Sequence, residues 1–193
     1  MITRIDHISI AVTDYESARH FFQDILGAIP GAASLDDTMK YQWQLFSIGD
    51  LSRLELLKPL GDGSFLEKFL SRHPEGGVHH ITFETSSIQE SMKLLEQHQI
   101  PYFGYNEYVG GVWKEIFIHP KHAYGVLIQI AEFHPNDWLN SCVQLKKGQK
   151  WSFEKQGDGY ILHFSHPGGG KMTLNLSSQE VNQLLDDLKE III

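Results

Sequence analysis

Four polar residues interrupt strands that are otherwise aliphatic: His7 in RIDHISIAV, Glu55 in RLELLKP, His80 in VHHITFE and Gln129 in VLIQIAE. Imidazole nitrogen together with carboxylate and amide oxygen is a donor set that suits a divalent zinc, nickel, cobalt, iron or manganese ion. Two histidines, one glutamate and one glutamine carry a single formal negative charge. An ion held by them stays net positive and acts as a Lewis acid toward a carbonyl or enediolate oxygen. A lone strand histidine is more often a hydrogen-bonded core residue, and a glutamate in LELL is more often an exposed edge. Spacing argues for more: His7 and His80 stand 73 positions apart, and Glu55 and Gln129 stand 74 apart. Four such residues at matched positions of a duplicated unit converge if the two copies pair about a pseudo-two-fold.

The duplication is visible in the elements that must position them. In the first copy Ile8, Ile10 and Val12 alternate with His7, Ser9 and Ala11, as in a strand. Thr13 and Glu16 then form a capping-box pair, and Ala18, Phe21, Phe22 and Ile25 follow at helical spacing up to Gly27. In the second copy Ile81 and Phe83 oppose His80, Thr82 and Glu84. Ser87 and Glu90 repeat the capping box, and the helix through Met92, Leu94 and Leu95 is expected to run to Gln99–Ile100, where Pro101 stops it. Each copy continues with strand-like runs, KYQWQLFSIG and SRLELLKP in the first, VWKEIFIHP and YGVLIQIAEF in the second. A weak extra strand is expected near AIPGAAS and near IPYFGYN. The fold class read from this is α+β: paired βαβββ modules, about 3–60 and 77–132, forming an open barrel-like sheet around a metal cleft within a domain of residues 1–132.

The segments DHISIAVTDYESARHFFQDILGA, LELLKPL, HPEGGVHHITFE and FIHPKHAYGVLIQIAE resemble the vicinal-oxygen-chelate superfamily, which includes glyoxalase I, methylmalonyl-CoA epimerase, extradiol dioxygenases and fosfomycin- and bleomycin-resistance proteins. LELLKPL, GGVHHI and HPK before GVLIQI are most similar to the epimerase pattern, and the similarity spans about residues 3–132. The resemblance implies paired βαβββ modules closing on one divalent metal ion (Zn, Ni, Co or Mn) held by His7, Glu55, His80 and Gln129. His80 rather than His79 is the expected ligand because it aligns with His7. The implied substrate is a small carbonyl compound or acyl-CoA, and the resemblance also allows a homodimer.

The epimerases exchange a proton next to a thioester, which calls for a base on each face. In that family one acid stands where this chain has Gln129, an amide that takes no proton. The other precedes the third strand of the first module. Counting back from Glu55 reaches Thr38, with Asp36 and Asp37 adjacent. The catalytic candidates are therefore Glu55, doubling as ligand and base, and Asp37. Three functions follow: a metal-dependent lyase or isomerase, epimerase-like or glyoxalase-like; a metal-containing module that sequesters its ligand without catalysis; and a non-haem iron dioxygenase, for which Gln129 would fill a position that oxygen needs.

The remaining features bound these readings. A net charge of −8 over 193 residues, with no cluster of Lys and Arg, argues against nucleic acid and anionic membranes as partners. No apolar run reaches a membrane span of roughly 18 residues, and MITRIDHISI carries no secretion signal. The single cysteine, Cys142, fits a reducing compartment, so a cytoplasmic protein is expected. HPKH, residues 119–122, reads as a proline turn, with Lys121, Lys58 and Lys114 available to a phosphate. SFLEKFLSRHP reads as a short amphipathic linker helix with room for a lid role. Residues 133–193 form a small C-terminal ββ(β)α unit. It comprises KWSFEKQ, GYILHFSH and GKMTLNL, then a helix capped by Ser177 and Glu180 with Val181, Leu184, Leu185, Leu188 and Ile191 as its stripe. His163 and His166 there are read as non-ligands.

Overall fold

The computed structural model of the chain describes residues 2–49 and 52–192. Two compact units divide it, Met1–Asn140 and Ser141–Ile193. The first unit runs β1 (Ile2–Ala11), α1 (Tyr15–Arg19), β2 (Ile29–Asp36), β3 (Tyr41–Ile48), β4 (Ser52–Pro59), α2 (Glu67–Leu70), β5 (Gly77–Thr85), α3 (Ile88–Gln97), β6 (Phe103–Glu107), β7 (Trp113–Ile118) and β8 (Ile128–Phe133). Its strands form one eight-stranded sheet in the order β2-β3-β4-β1-β5-β8-β7-β6. The two first strands, β1 and β5, meet antiparallel at the centre, and each lies parallel to the last strand of its own module, β4 or β8. The sheet is therefore two βαβββ modules related by a pseudo-two-fold between β1 and β5.

Alternation assigns one face of each strand to a helix and the other to the cleft. Leu54 and Leu56 of β4 pack with Val12, Tyr15 and Phe46 beneath α1. Ile128 and Ile130 of β8 pack with Ile88, Leu95, Ile116 and Ile118 beneath α3. Phe46, Leu56, Ile88 and Ile116 are wholly buried, and each such side chain contributes about 1.5–3 kcal/mol. The opposite faces carry Glu55, His7, His80 and Gln129 inward. The sheet curls: residues of β3, such as Trp43, and of β7, such as Trp113, line the same cavity although four strands separate them in the sheet order.

Local chemistry departs from expectation in three places. Asp14, not Thr13, caps α1, its Oδ1 accepting from Ser17 N at 3.0 Å, while Thr13 Oγ1 turns to Pro74 O. After Arg19 the helix widens into a π-type segment, His20–Ile25, in which Leu26 N reaches back five residues to Phe21 O. The 3.6-residue stripe is lost there: Ala18 and Phe22 pack on the core, whereas Phe21 and Ile25 face solvent. Gly27, at φ +73°, takes the left-handed position that ends the segment. In the second module Ser87 caps α3 as its motif requires, accepting from Glu90 N. That helix stops at Gln97 because Gln99 turns left-handed, φ +54°, short of the expected Ile100. The linker helix shrinks to one turn, α2, whose Leu66 and Leu70 flanks are buried with Ala11 and Leu57.

The second unit contains β9 (Trp151–Gln156), β10 (Gly159–Ser165), β11 (Lys171–Ser177) and α4 (Ser178–Ile192), with the strands in the order β11-β10-β9. Ser177 and Glu180 form the reciprocal cap at its start, Ser177 N to Glu180 Oε2 at 2.7 Å and Glu180 N to Ser177 Oγ at 3.2 Å. No helix among the described residues is long and apolar enough to cross a membrane.

Candidate metal centre

Strand register brings the four polar residues together in two equivalent pairs. Across β1 and β5, His7 stands opposite Thr82 and Ser9 opposite His80. Glu55 of β4 lies beside Ser9, and Gln129 of β8 lies beside Thr82. Each module's last-strand oxygen donor thus adjoins a hydroxyl on its own first strand, and that hydroxyl faces the other module's histidine. Ser9 Oγ donates to Glu55 Oε2 at 2.6 Å and lies 2.9 Å from His80 Nε2. Thr82 Oγ1 donates to Gln129 Oε1 at 2.5 Å and lies 2.9 Å from His7 Nε2.

Glu55 Oε2 is 3.7 Å from His7 Nε2 and 3.9 Å from His80 Nε2, and the donor atoms of these three residues all lie within 4.8 Å of one another. Donors about 2.1 Å from a common ion are separated by roughly 3–4 Å, so the Glu55 distances fit a divalent ion with small closure of the shell. Supporting groups orient the rings. His7 Nδ1 lies 2.7 Å from Asp6 Oδ2; with the proton on Nδ1 for that carboxylate, Nε2 presents its lone pair to the site. Asp6 is itself buried and accepts from Arg53 and from Arg4. His80 Nδ1 lies 2.9 Å from His79 Nδ1, and the His79 ring sits against Phe65 and Phe69. Burial lowers His7 and His80 below the ordinary histidine value, keeping both neutral as ligands must be, and burial lowers His79 to about 4. Burial raises Glu55 above the ordinary carboxyl value, opposed by His7 and by the Ser9 hydrogen bond.

His7, and with it Glu55 and Gln129, borders a cavity of about 190 Å³, while His80 lies outside its lining. Glu115 of β7 reaches the cavity too. Glu115 Oε2 accepts from Gln129 Nε2 at 2.6 Å and from Trp113 Nε1 at 2.7 Å, while burial raises its carboxyl above the ordinary value. Asp37 is exposed in the turn between β2 and β3 and does not line the cavity; its neighbour Asp36 does, and accepts from Met39 N at 2.8 Å. Trp138 enters the wall from a 3-10 turn, Pro135–Trp138. A side chain at Gly31 would put its Cβ 2.5 Å from the Trp138 carbonyl oxygen, so glycine there lets that turn lie against β2. The HPKH segment is the expected turn, with His119 exposed and capping it. From sequence, Glu115, Asp6, Ser9 and Thr82 carry no assigned role at the site. Ser9 and Thr82 were findable as mutual equivalents, each two residues from an aligned histidine. Glu115 was signalled by a carboxylate on the same strand parity as Trp113 in VWKEIFI.

The family model of the Glyoxalase/Bleomycin resistance protein/Dioxygenase superfamily matches residues 6–117. The chain belongs to this superfamily. The match includes three of the four donors and stops before Gln129. Among characterised superfamily relatives, an ethylmalonyl-CoA/methylmalonyl-CoA epimerase of Cereibacter sphaeroides is 34% identical over 134 residues, 68% of this chain and 99% of the relative. The mitochondrial methylmalonyl-CoA epimerase of Homo sapiens is 33% identical over 130 residues, 67% of this chain and 73% of the relative. The crystal structure of the Mycobacterium tuberculosis methylmalonyl-CoA epimerase superposes with a TM-score of 0.63 at 27% identity, covering 69% of this chain and 90% of that one. A Streptomyces coelicolor methylmalonyl-CoA epimerase in complex with 2-nitronate-propionyl-CoA superposes with a TM-score of 0.62 at 26% identity, over 69% of this chain and 99% of that one.

Proposed function

We propose that the chain is a divalent-metal-dependent isomerase that exchanges the proton on the carbon beside a carbonyl or thioester, acting on a small carbonyl or acyl-CoA substrate. One observation carries the reading: donor atoms of His7 and Glu55 from one module and His80 from the other gather within 4.8 Å of one another, beside a cavity that His7, Glu55, Gln129 and the Glu115 carboxylate line. The epimerase relatives support the acyl-CoA class. His7, Glu55, His80 and Gln129 would hold the ion, which would supply Lewis-acid stabilisation of negative charge on the carbonyl oxygen.

In this reading Glu55 and Glu115, one from each module, take and return the proton. When the C–H bond breaks, its electron pair passes into the carbonyl and the proton goes to the carboxylate that starts unprotonated; a proton delivered to the opposite face by the other group, which starts as the carboxylic acid, inverts the carbon. Asp37, exposed outside the cavity, takes no part. Burial suits the exchange because it brings carboxyl pKa values toward the operating pH. Ser9 and Thr82 hold the oxygen donors in place.

Deuterium wash-in from heavy water, followed by mass spectrometry on a panel of α-branched acyl-CoA thioesters, tests this. Exchange that needs both a divalent ion and Glu115 is the expected result. Tight binding of a thioester with no exchange at saturating metal identifies a sequestering module instead.

A further inference from the structure

The second unit carries apolar surface that its own fold leaves open. Directly opposed residues of neighbouring strands share a face. Trp151, Phe164 and Met172 therefore form one apolar row across the sheet of β9, β10 and β11, and Phe153, Leu162 and Leu174 form the next. The reverse face is polar along the row Ser152, His163 and Thr173. A sheet with one apolar face needs a second layer over it. Here Trp151 is 64% exposed, Phe153 51% and Leu174 49%. Val143 apart, no hydrophobic side chain among the described residues of this unit is buried.

The layer that would cover the face is a helix, and α4 is itself uncovered: Leu185, Leu188 and Ile191 of its stripe are all exposed. The chain path explains this. Ser177 ends β11 and Ser178 begins α4, so no residue is left for the reversal that would lay the helix back over its own sheet, a connection that usually takes roughly 2–6 residues. The dimensions match all the same. The 15 residues of α4 span about 22 Å, and the 7 residues of β11 about 23 Å. One helix about 10 Å across covers three strands spaced about 4.8 Å apart. Charge matches too. The helix carries four acidic residues against one lysine, and the rest of the unit carries five lysines against two acidic residues. A helix arriving from another molecule is attracted to this sheet.

We infer that a second copy of this chain covers the face: α4 of each copy lies across the β11-β10-β9 sheet of the other. The exchange is reciprocal and closes with two-fold symmetry. It is independent of the metal centre and of the chemistry proposed there.

Sedimentation equilibrium on the full chain, over a wide range of concentration, measures the association. Two variants cut opposite sides of the contact: Leu185→Glu with Leu188→Glu on the helix, and Phe153→Glu with Leu174→Glu on the sheet. All four positions are exposed, so circular dichroism is expected to be unchanged. Each variant should weaken self-association at least about tenfold. Leu188→Asn, a milder change, should weaken it several-fold and serves where a glutamate pair lowers the helical signal. The two variants are then mixed. The sheet variant keeps its helix and the helix variant keeps its sheet, so one of the two contacts re-forms and a heterodimer appears that neither variant makes alone. A chain that is monomeric at every concentration overturns the inference. So does an association that the helix variant leaves unchanged, which belongs to another surface, and so does a mixture of the variants that fails to associate.

Discussion

Gln129 Nε2 donates to Glu115 Oε2 across 2.6 Å, between neighbouring strands β8 and β7. The register explains the pairing: Phe117 stands opposite Gln129, so Glu115 is its diagonal neighbour on the same face. The bond fixes the amide so that Oε1 faces Thr82, and it satisfies a buried carboxylate. Gln129→Glu would set two buried carboxyls against each other, so that both ionise only at considerable cost. The variant is expected to lose about 1–3 kcal/mol of stability at pH 7 and much less at pH 5, by urea denaturation. The reciprocal swap, Glu115→Gln with Gln129→Glu, restores the pair; a coupling energy below about 0.5 kcal/mol in the double-mutant cycle would show the contact to be inert.

Loading with a divalent ion at 100 times its dissociation constant should stabilise the chain by about 2.7 kcal/mol. For a protein of this size that is a rise in melting temperature of roughly 5–11 °C. Alanine at His7, Glu55 or His80 should remove the shift, since these supply the donors gathered within 4.8 Å. Alanine at Gln129 should weaken it while leaving it measurable, because its neutral oxygen is the least basic of the set. Scanning calorimetry with zinc, nickel, cobalt and manganese decides between these outcomes. An identical shift in His80→Ala would place the ion elsewhere.

The two modules, their βαβββ succession and the inward parity of His7, Glu55, His80 and Gln129 were legible because duplication and alternation are local, repeated signals. The supporting residues were not. Asp6 and Arg53 meet because β1 and β4 lie side by side in parallel, a pairing of residues 47 positions apart that no local pattern displays. Glu115 reads as an ordinary polar position on a strand until β7 is registered against β8. The first helix misled for a different reason: the π-type widening after Arg19 changes the period itself, so Phe21 and Ile25 leave the buried stripe that a period of 3.6 assigns them. Asp37 and Asp36 were indistinguishable in LDDT. The end of β2 separates them, keeping Asp36 on the strand at the cavity and releasing Asp37 into the turn.

Metal uptake should depend on Glu55 rather than on the histidines as pH falls. Burial lowers His7 and His80 below the ordinary histidine value, so their protons compete with the ion less than those of ordinary histidines. Burial raises Glu55, so its proton competes with the ion across a window above the ordinary carboxyl value. Apparent affinity should therefore rise with pH through the raised Glu55 value and level off above it, with protons released on binding. Titration calorimetry in buffers of different ionisation enthalpy measures that release. Proton uptake on binding would contradict the assignment.

His79 should tie stability to pH without touching the cavity wall. Its folded value is about 4, below the unfolded value of 6.5. Between these the unfolded chain holds the extra proton, so the His79 contribution is fully present above pH 6.5 and is lost as pH falls toward 4. With part of the ring exposed, the loss by pH 4.5 is on the order of 2 kcal/mol. Replacing His79 by Asn should flatten the curve by that amount, measured as the difference in unfolding free energy between pH 7 and pH 4.5. A variant with the same slope as the parent would mean that His79 charges freely in the folded state.

Asp6 should be the costliest single residue to lose, although it touches neither cavity nor substrate. Its side chain is inaccessible to solvent and accepts from His7 Nδ1, Arg4 Nη2 and Arg53 Nη2. Arg53 is equally buried, and its only ion-pair partner among the described residues is Asp6. Asp6→Ala leaves the guanidinium buried without its counter-charge, which typically costs 3–5 kcal/mol. Asp6→Asn keeps the shape and one acceptor and should cost less, but it still weakens the hold on the His7 ring, for an expected loss of about 10- to 100-fold in metal affinity. The paired change Asp6→Asn with Arg53→Met removes the orphaned charge and should recover most of the stability while the metal affinity stays low. Recovery of both together would mean that Asp6 acts on His7 only through the packing around Arg53.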